Sequence, residues 1–536
     1  MRVKLQRLSW ALYLLPALAL LRGALAPGRM LGGPYGEATR KLFGHLQLLR
    51  WLRLEAPVGH ADLINWPDGR GFWPVAPLLD LVQLPFSLTL GAIAGLSVLA
   101  LVLLVLSGVG PYLLVRVCGG GRPGALAAGL VVQLSPFLLT NLGDAIVEVS
   151  CVGIAALAVA GLVRWHASGR RRDLALAGLG VFATAASSPY FAIYLAIGCL
   201  CAAAWTWRAW RRWLAFAGVA AVACAVAIAP IWLTERGDDG RLSEVHSHGW
   251  SLHPGELVSP STGQVVARRP STGGAIAAEP PPAWLRSMAR WQPGWLVALA
   301  ALVGLGFRRS RPWSILALVF FALGPGIPML LRQLGRPGDI QAPLSWLVGG
   351  DFLSNPTRLL VPWILSSAVG LGLVIDRYRA WAVACAILAL AEPLVLKRGF
   401  ELPSVEQPFD EVVVDAIDDP FSIFPSGDPP AWQPEVGFGE SMLLAGLADQ
   451  PIGYDFATGA TAPSLGLTLR LAEAGDVPVG IELYRSRDRL DEDHAPPLLV
   501  LLEDRIDTVG AVRASLSDTH DLVVEGERQS VWRRRD

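Results

Sequence analysis

The chain has 536 residues, of which 53% are hydrophobic and only 17% charged, with a mean hydropathy of +0.44. Soluble globular proteins carry about 25% charged residues, so a soluble enzyme is excluded. Lys+Arg and Asp+Glu both number 45, which leaves no global field to draw in nucleic acid. The six cysteines lie in or beside apolar runs and read as small hydrophobes, not as a disulfide framework or zinc ribbon.

A helix needs about 20 mostly apolar residues to cross a hydrocarbon core of about 30 Å. Such stretches occur at 8–26, 88–115, 124–141, 147–163, 174–187, 189–206, 213–233, 293–307, 313–331, 358–375 and 380–396. Ser187-Ser188-Pro189 separates the fifth from the sixth, which are either two helices or one kinked helix. Arg2, Lys4 and Arg7 precede the first stretch. Arg164, Arg170, Arg171 and Arg172, then Arg208, Arg211 and Arg212, then Arg308, Arg309 and Arg311, then Arg377 and Arg379 fall in every second loop thereafter. The positive-inside rule then places the N-terminus in the cytoplasm and, for an odd number of spans, the C-terminal segment outside. The alternative for residues 1–26 is a cleaved signal peptide ending at Ala24-Leu25-Ala26.

Three stretches are long enough to form structure outside the bilayer. In 27–87, Leu42, Leu46, Leu49 and Leu54 recur at helical spacing among Arg40, Lys41, Arg50 and Arg53, which predicts an amphipathic helix over 38–54 lying in the interface. Residues 235–290 are rich in Pro, Gly and Ser and read as loop, with one short helix at 282–289. Residues 399–536 contain strand-like runs at 412–417, 479–484 and 498–502, a helical stretch at 509–516 and a final strand at 521–524. The expected architecture is an α-helical polytopic membrane protein of about eleven transmembrane helices, residues 1–398, followed by a small soluble α/β domain, residues 399–536.

Carboxylates near the outer ends of these spans are the natural candidates for chemistry at a membrane surface. They are Glu37, Asp62, Asp68 and Asp80, Asp144 and Glu148, Glu244 and Glu256, and Asp339 and Asp351. Glu37 stands out because Gly32-Gly33-Pro34 turns the chain just before it and the interfacial helix follows. A bland role competes there, since an acid in the first helical turn offsets the macrodipole. Asn65-Trp66-Pro67-Asp68-Gly69 reads as a turn, and Trp66, Phe72 and Trp73 suit an interfacial aromatic belt or a sugar-stacking surface. His246, His248 and His253 have a metal-like spacing, but no periodic element fixes their rings. Arg358, at the mouth of the tenth stretch, either snorkels to head groups or pairs with a phosphate.

Several of these stretches, in order, resemble the GT-C glycosyltransferase superfamily of bacterial polytopic proteins. The resemblance runs from Glu37 through Trp66-Pro67-Asp68-Gly69, Pro77-Leu78-Leu79 and Leu84-Pro85 in the first external loop. It continues with Leu106-Ser107-Gly108, Tyr112-Leu113-Leu114, Ser135-Pro136-Phe137, Leu323-Gly324-Pro325-Gly326 and Asn355-Pro356-Thr357-Arg358-Leu359-Leu360. It covers roughly residues 8–400, and the tail resembles the small external domain many such proteins carry. It implies a polyprenyl-phosphate-linked sugar donor, transfer to a glycan, lipid or protein acceptor on the extracytoplasmic face of the cytoplasmic membrane, and an acid of the first loop as base. That role falls on Glu37, although the family more commonly has Asp there. Arg358 becomes a phosphate contact, while Asp68 or Asp144, with Trp66, orients the acceptor or a divalent metal such as Mg or Mn. Gly143-Asp144 stands where the family often has His after Gly. The competing classes are a non-catalytic carrier of polyprenyl-linked glycan and an envelope-assembly scaffold. Polar residues crowd the outer ends of the spans instead of lining a path through them, which favours an interfacial enzyme.

The topology makes a direct prediction. Alkaline-phosphatase fusions after Arg398 should be active and those after Arg172 inactive; the reverse pattern would invalidate the orientation.

Overall fold

The computed structural model describes residues 2–32, 38–61, 70–71, 73–74, 76–143, 145–235, 294–326, 356–376 and 378–397. In the tail it describes 404–406, 411–419, 421–424, 498–503, 520–527 and 529–535, with isolated positions between them. The N-terminal part holds α1 (Arg2–Leu21), β1 (Arg29–Leu31), α2 (Ala38–Arg53), a paired β2 (His60–Ala61) and β3 (Arg70–Gly71), and α3 (Pro77–Leu90). Next come α4 (Ala92–Val117), α5 (Arg122–Gln133), α6 (Pro136–Gly143), a 3-10 turn at Val147–Cys151, α7 (Val152–Ser168), α8 (Arg171–Ser187), α9 (Pro189–Trp205) and α10 (Trp210–Glu235). The later helices are α11 (Trp295–Val303), α12 (Arg311–Phe321), α13 (Leu360–Ile375) and α14 (Arg379–Lys397).

Each of the apolar stretches holds helix. Among the described residues, Ala92–Val117, Val147–Ser168 and Trp207–Ile231 are long and apolar enough to cross a membrane alone. The pair Arg122–Gln133 and Pro136–Gly143, bent by 40° at Ser135-Pro136, makes a fourth span if counted as one, and the remaining apolar helices are shorter. Ser188 is extended, with φ −166° and ψ 113°, and Pro189 opens a new helix. The fifth and sixth stretches are therefore two helices. The external stretch 27–87 shows no apolar span at its end, yet a helix runs over Pro77–Leu90 and Gly91 separates it from α4. There Pro77 starts a helix whose polar Asp80, Gln83 and Ser87 are buried, and those residues broke the apolar pattern.

Close backbone contact sets the helix crossings. Where water does not drive helices together, small residues let their backbones approach. A Cβ on Gly110 would lie 2.3 Å from the Gly153 carbonyl oxygen, and one on Gly153 only 2.2 Å from that of Leu106. At the same crossing the Ser107 hydroxyl lies 2.9 Å from the carbonyl oxygens of both Leu103 and Ser150. Gly108 faces the Tyr13 ring, with 2.4 Å between a built Cβ and the ring edge, and Gly129 backs onto the Gly108 carbonyl. The Leu106-Ser107-Gly108 motif thus marks where α1, α5 and α7 meet α4. Its consequence for the site is that the turn at Val147–Cys151 is held at fixed height on α4.

The tail comprises β4 (Ser404–Glu406), α15 (Glu411–Asp415), β5 (Phe421–Phe424), β6 (Leu498–Leu502), β7 (His520–Glu525) and β8 (Gln529–Arg534). Strands β5 to β8 form a sheet of order β5-β6-β8-β7, with β5 and β6 parallel and the other pairs antiparallel. The expected strand at 412–417 is instead helical over Glu411–Asp415. Buried Val413 and Ile417 lie four apart while Val412 is exposed, a helical period that the β-branched composition masked. The run at 479–484 lies outside the described residues, as does the loop at 235–290 beyond Glu235. Strand β4 pairs antiparallel with β1, matching Leu31 to Ser404 and Arg29 to Glu406. The Arg29 guanidinium donates to the Ser404 carbonyl at 2.7 Å, and the Leu402 amide donates to the Leu20 carbonyl at 2.8 Å. The tail's first strand is therefore fastened to the segment between α1 and α2.

Two alanine substitutions test the crossing. Gly153→Ala should lower the thermal midpoint in detergent, because overpacking costs about 1–3 kcal/mol. Gly218→Ala, with nothing within 4 Å of its built Cβ, should hold or raise it, because Ala gains up to about 1 kcal/mol over Gly in a helix.

Candidate active site

The site forms where the start of α2 meets the turn before α7. Gly32, at φ +117°, is in a conformation that glycine adopts without strain, and its position lies 3.6 Å from the Cβ atoms of both Ala38 and Ala145, measured from a built Cβ. Residues flanking 33–37 therefore sit beside the residue that follows Asp144. Ala145 itself is held at φ +60°, a left-handed conformation that costs a non-glycine residue roughly 1–2 kcal/mol. Surrounding backbone bonds fix it: its amide donates to Leu142 at 3.0 Å and the Ile146 amide to Asn141 at 2.9 Å. One turn into α2, the Lys41 ammonium pairs with the Glu148 carboxylate, both largely buried. One turn further, His45 lies 3.7 Å from Asp80 of α3, too long for a hydrogen bond.

Spacing four apart puts Lys41 and His45 on one face of α2, each opposite a buried acid. The helix is consequently more deeply set than a helix lying in the interface: Leu42, Phe43, His45 and Gln47 are fully buried, whereas Leu52 and Leu54 are exposed. Its far end is braced as well. Gln47 and Trp51 both donate to the His60 carbonyl, at 3.1 and 2.9 Å, and Trp51 packs on Trp73 with centroids 5.6 Å apart.

Beside Glu148 opens a small cleft walled by Ile146, Val149, Phe191 and Val361, with Glu148, Ser188, Tyr190, Tyr194 and Arg358 as its polar groups. Arg358 reaches it from a 3-10 turn, Pro356–Leu359, that leads into α13. Its guanidinium carbon stands 4.2 Å from the Tyr190 ring centroid, within cation–π range, and its charge acts on Glu148. The Tyr194 hydroxyl is buried with no hydrogen-bond partner among the described residues, and the second Glu148 oxygen is likewise unpaired there. Buried polar atoms are almost always satisfied, so a cleft with an aromatic, apolar wall, a permanent cation and an orphaned hydroxyl is suited to an anionic head group carrying an apolar chain.

Of the residues singled out from sequence, Arg358 is placed at this cleft. Glu37, Trp66, Asp68, Asp144, His246, His248 and His253 lie outside the described residues. Among the described residues no group of three His, Cys, Asp or Glu is arranged to hold a metal ion. Glu148 and Asp80 were two carboxylates among ten. Of their partners, Lys41 reads in the sequence as one of the charges of an amphipathic helix, and His45 carries no signal. Tyr190 and Tyr194 carried no signal beyond following Pro189.

No protein-family model matches the chain, and no curated protein does. Among solved structures, the mycobacterial arabinofuranosyltransferase AftD is similar over 99% of this chain and 40% of its own, at 17% identity and a TM-score of 0.58. The Archaeoglobus fulgidus oligosaccharyltransferase in its apo form matches 92% of this chain and 69% of its own, at 14% identity and a TM-score of 0.48. ArnT from Cupriavidus metallidurans, bound to undecaprenyl phosphate, matches 99% and 97%, at 12% identity and 0.43. This chain spans about two fifths of the AftD structure's length. The chain is a multi-pass membrane protein with the GT-C fold.

Tyr194→Phe tests the cleft. Removing an unsatisfied buried hydroxyl should leave the thermal midpoint unchanged or higher, since such a group costs about 1–3 kcal/mol. A lower midpoint would show that the hydroxyl has a partner within the fold.

Proposed function

We propose that the chain is a glycosyltransferase that moves a sugar from a polyprenyl-phosphate-linked donor to an envelope or glycan acceptor at the extracytoplasmic face. The observation that carries the reading is the cleft in which Arg358 and the Lys41–Glu148 pair meet aromatic and apolar walls, beside the residues flanking 33–37. A phosphate on a long isoprenoid needs such a place: a fixed cation for its head and a greasy channel for its first units. Arg suits the task because its fork of donors matches phosphate oxygens and never deprotonates.

In the proposed reaction Glu37 takes the proton from the acceptor hydroxyl as its oxygen attacks the anomeric carbon. The bond from that carbon to the donor phosphate breaks, and the lipid phosphate leaves with the electron pair, its charge met by Arg358. Asp68, Asp144 and Trp66 are assigned to orienting the acceptor or a divalent metal. The buried Glu148 serves positioning, since it is engaged by Lys41.

Glu37→Gln keeps size and hydrogen-bonding capacity while removing the proton acceptor. Donor binding should survive and turnover should fall by roughly 10²–10⁴-fold, the contribution of general acid–base catalysis; Glu37→Asp should retain part of the activity. If Glu37 serves only as helix-end charge, the Gln change costs about 0.3–1 kcal/mol of stability and leaves transfer intact, which would move the base elsewhere. Absence of transfer by every version, with lipid still bound, would favour a carrier.

A further inference from the structure

At the end of the bundle where α7 finishes, α8 begins, α9 finishes and α10 begins, two loops are fastened into one surface. Trp165 donates its indole N–H to the Arg212 carbonyl at 3.2 Å, and the Arg212 guanidinium donates to the His166 carbonyl. The His166 and Trp213 rings pack at a tilt of 44° with centroids 4.3 Å apart, and Trp213 donates to the Thr206 hydroxyl at 2.9 Å. Asp173, the sole acid between 164 and 213, is buried and engaged by Arg164 at 3.4 Å and by Ser168 at 2.5 Å. Arg170, Arg171, Arg172, Arg208 and Arg211 remain on the outside of this surface, all exposed. Around them stand three large rings turned outward: Trp205, Trp207 and Trp210 are 59%, 68% and 54% exposed, and Arg211 lies 5.5 Å from the Trp210 centroid.

We propose that this platform is a binding surface for anionic phospholipid head groups, with phosphatidylglycerol as the probe. Exposed tryptophans are costly in water and settle at head-group depth in a bilayer, so they set the arginines at the level of lipid phosphates. Topogenic charge alone would require basic residues in these loops, but not their cross-loop fastening or the burial of the single acid. The occupant is a lipid and not a free anion because the rings and the exposed Leu200 and Leu214 flank the charges with apolar surface. The inference is independent of the proposed transferase activity, which concerns the other ends of α7 and α9.

The test is lipid retention by the full-length protein in detergent, read by native mass spectrometry with phosphatidylglycerol or phosphatidylcholine added. Phosphatidylglycerol should be retained over phosphatidylcholine by roughly fivefold or more, the worth of one arginine near an anionic surface. The variant carrying Arg171→Gln, Arg172→Gln, Arg208→Gln and Arg211→Gln should bring the ratio near parity, with phosphatidylcholine retention unchanged. If it does not purify, the Arg171→Gln and Arg172→Gln pair is read in the same way. Arg308→Gln with Arg309→Gln, exposed arginines of another basic loop, should leave the preference intact. Equal retention of the two lipids by the wild type would overturn the proposal, as would a preference that survives the four substitutions or is lost equally in the control. Displacement of the lipid by inorganic phosphate would overturn the choice of a lipid as occupant.

Discussion

One ion pair ties α2 to the rest of the helical bundle. Lys41 of α2 and Glu148 of the turn before α7 meet in a largely buried position, where neither charge is tolerable alone. Removing one partner of such a pair strands the other and costs up to about 3–5 kcal/mol. The pair therefore contributes to specificity of place more than to net stability: it admits one seating of α2 on the bundle. Gly32 and Ala38 lie beside Ala145 at the same corner, and Arg358 of a third segment joins it through Glu148 and Tyr190.

The seating is only as exact as the turn that carries Glu148. That turn inherits its position from backbone-to-backbone contact at Gly110 and Gly153 and from the Ser107 hydroxyl against the Ser150 carbonyl. A larger residue at either glycine would move α7 along α4 and shift Glu148 with it. The left-handed Ala145 fits this picture, since strain of that kind persists only where neighbours over-determine the backbone. Rigid crossings inside the bundle thus become precise placement at its surface. The β1–β4 pairing, with Arg29 against Ser404, closes the loop from the opposite side.

Much of the helical framework was legible because spans of apolar residues announce themselves by length alone. Pro189 marked a real break and the 38–54 pattern a real helix, whereas the bend before Pro136 falls inside a stretch that reads as one span. What the pattern concealed was depth. Lys41 and His45 look like a solvated face, and only the acids brought from 80 and 148 by long-range packing turn that face inward. The helix at 77–90 was missed for the same reason, since Asp80, Gln83 and Ser87 interrupt its apolar run while being buried. In the tail, a valine run suggested a strand where the i, i+4 burial of Val413 and Ile417 makes a helix. The pairing of β1 with β4, 375 residues apart at Arg29 and Ser404, left no local trace. Of the site, Arg358 was legible from its place after Asn355-Pro356, whereas Tyr190 and Tyr194 were not.

In the proposed function, the phosphate of an isoprenoid lipid docks at the cleft between Arg358, Tyr190 and Tyr194. The most direct measurement is a structure of the protein in a lipid nanodisc with added polyprenyl phosphate. Density for the phosphate within salt-bridge distance of Arg358, with the first isoprene units along Phe191 and Val361, is the predicted result. Phosphate density elsewhere on the bundle, with the cleft beside Glu148 filled by protein or solvent alone, would contradict it.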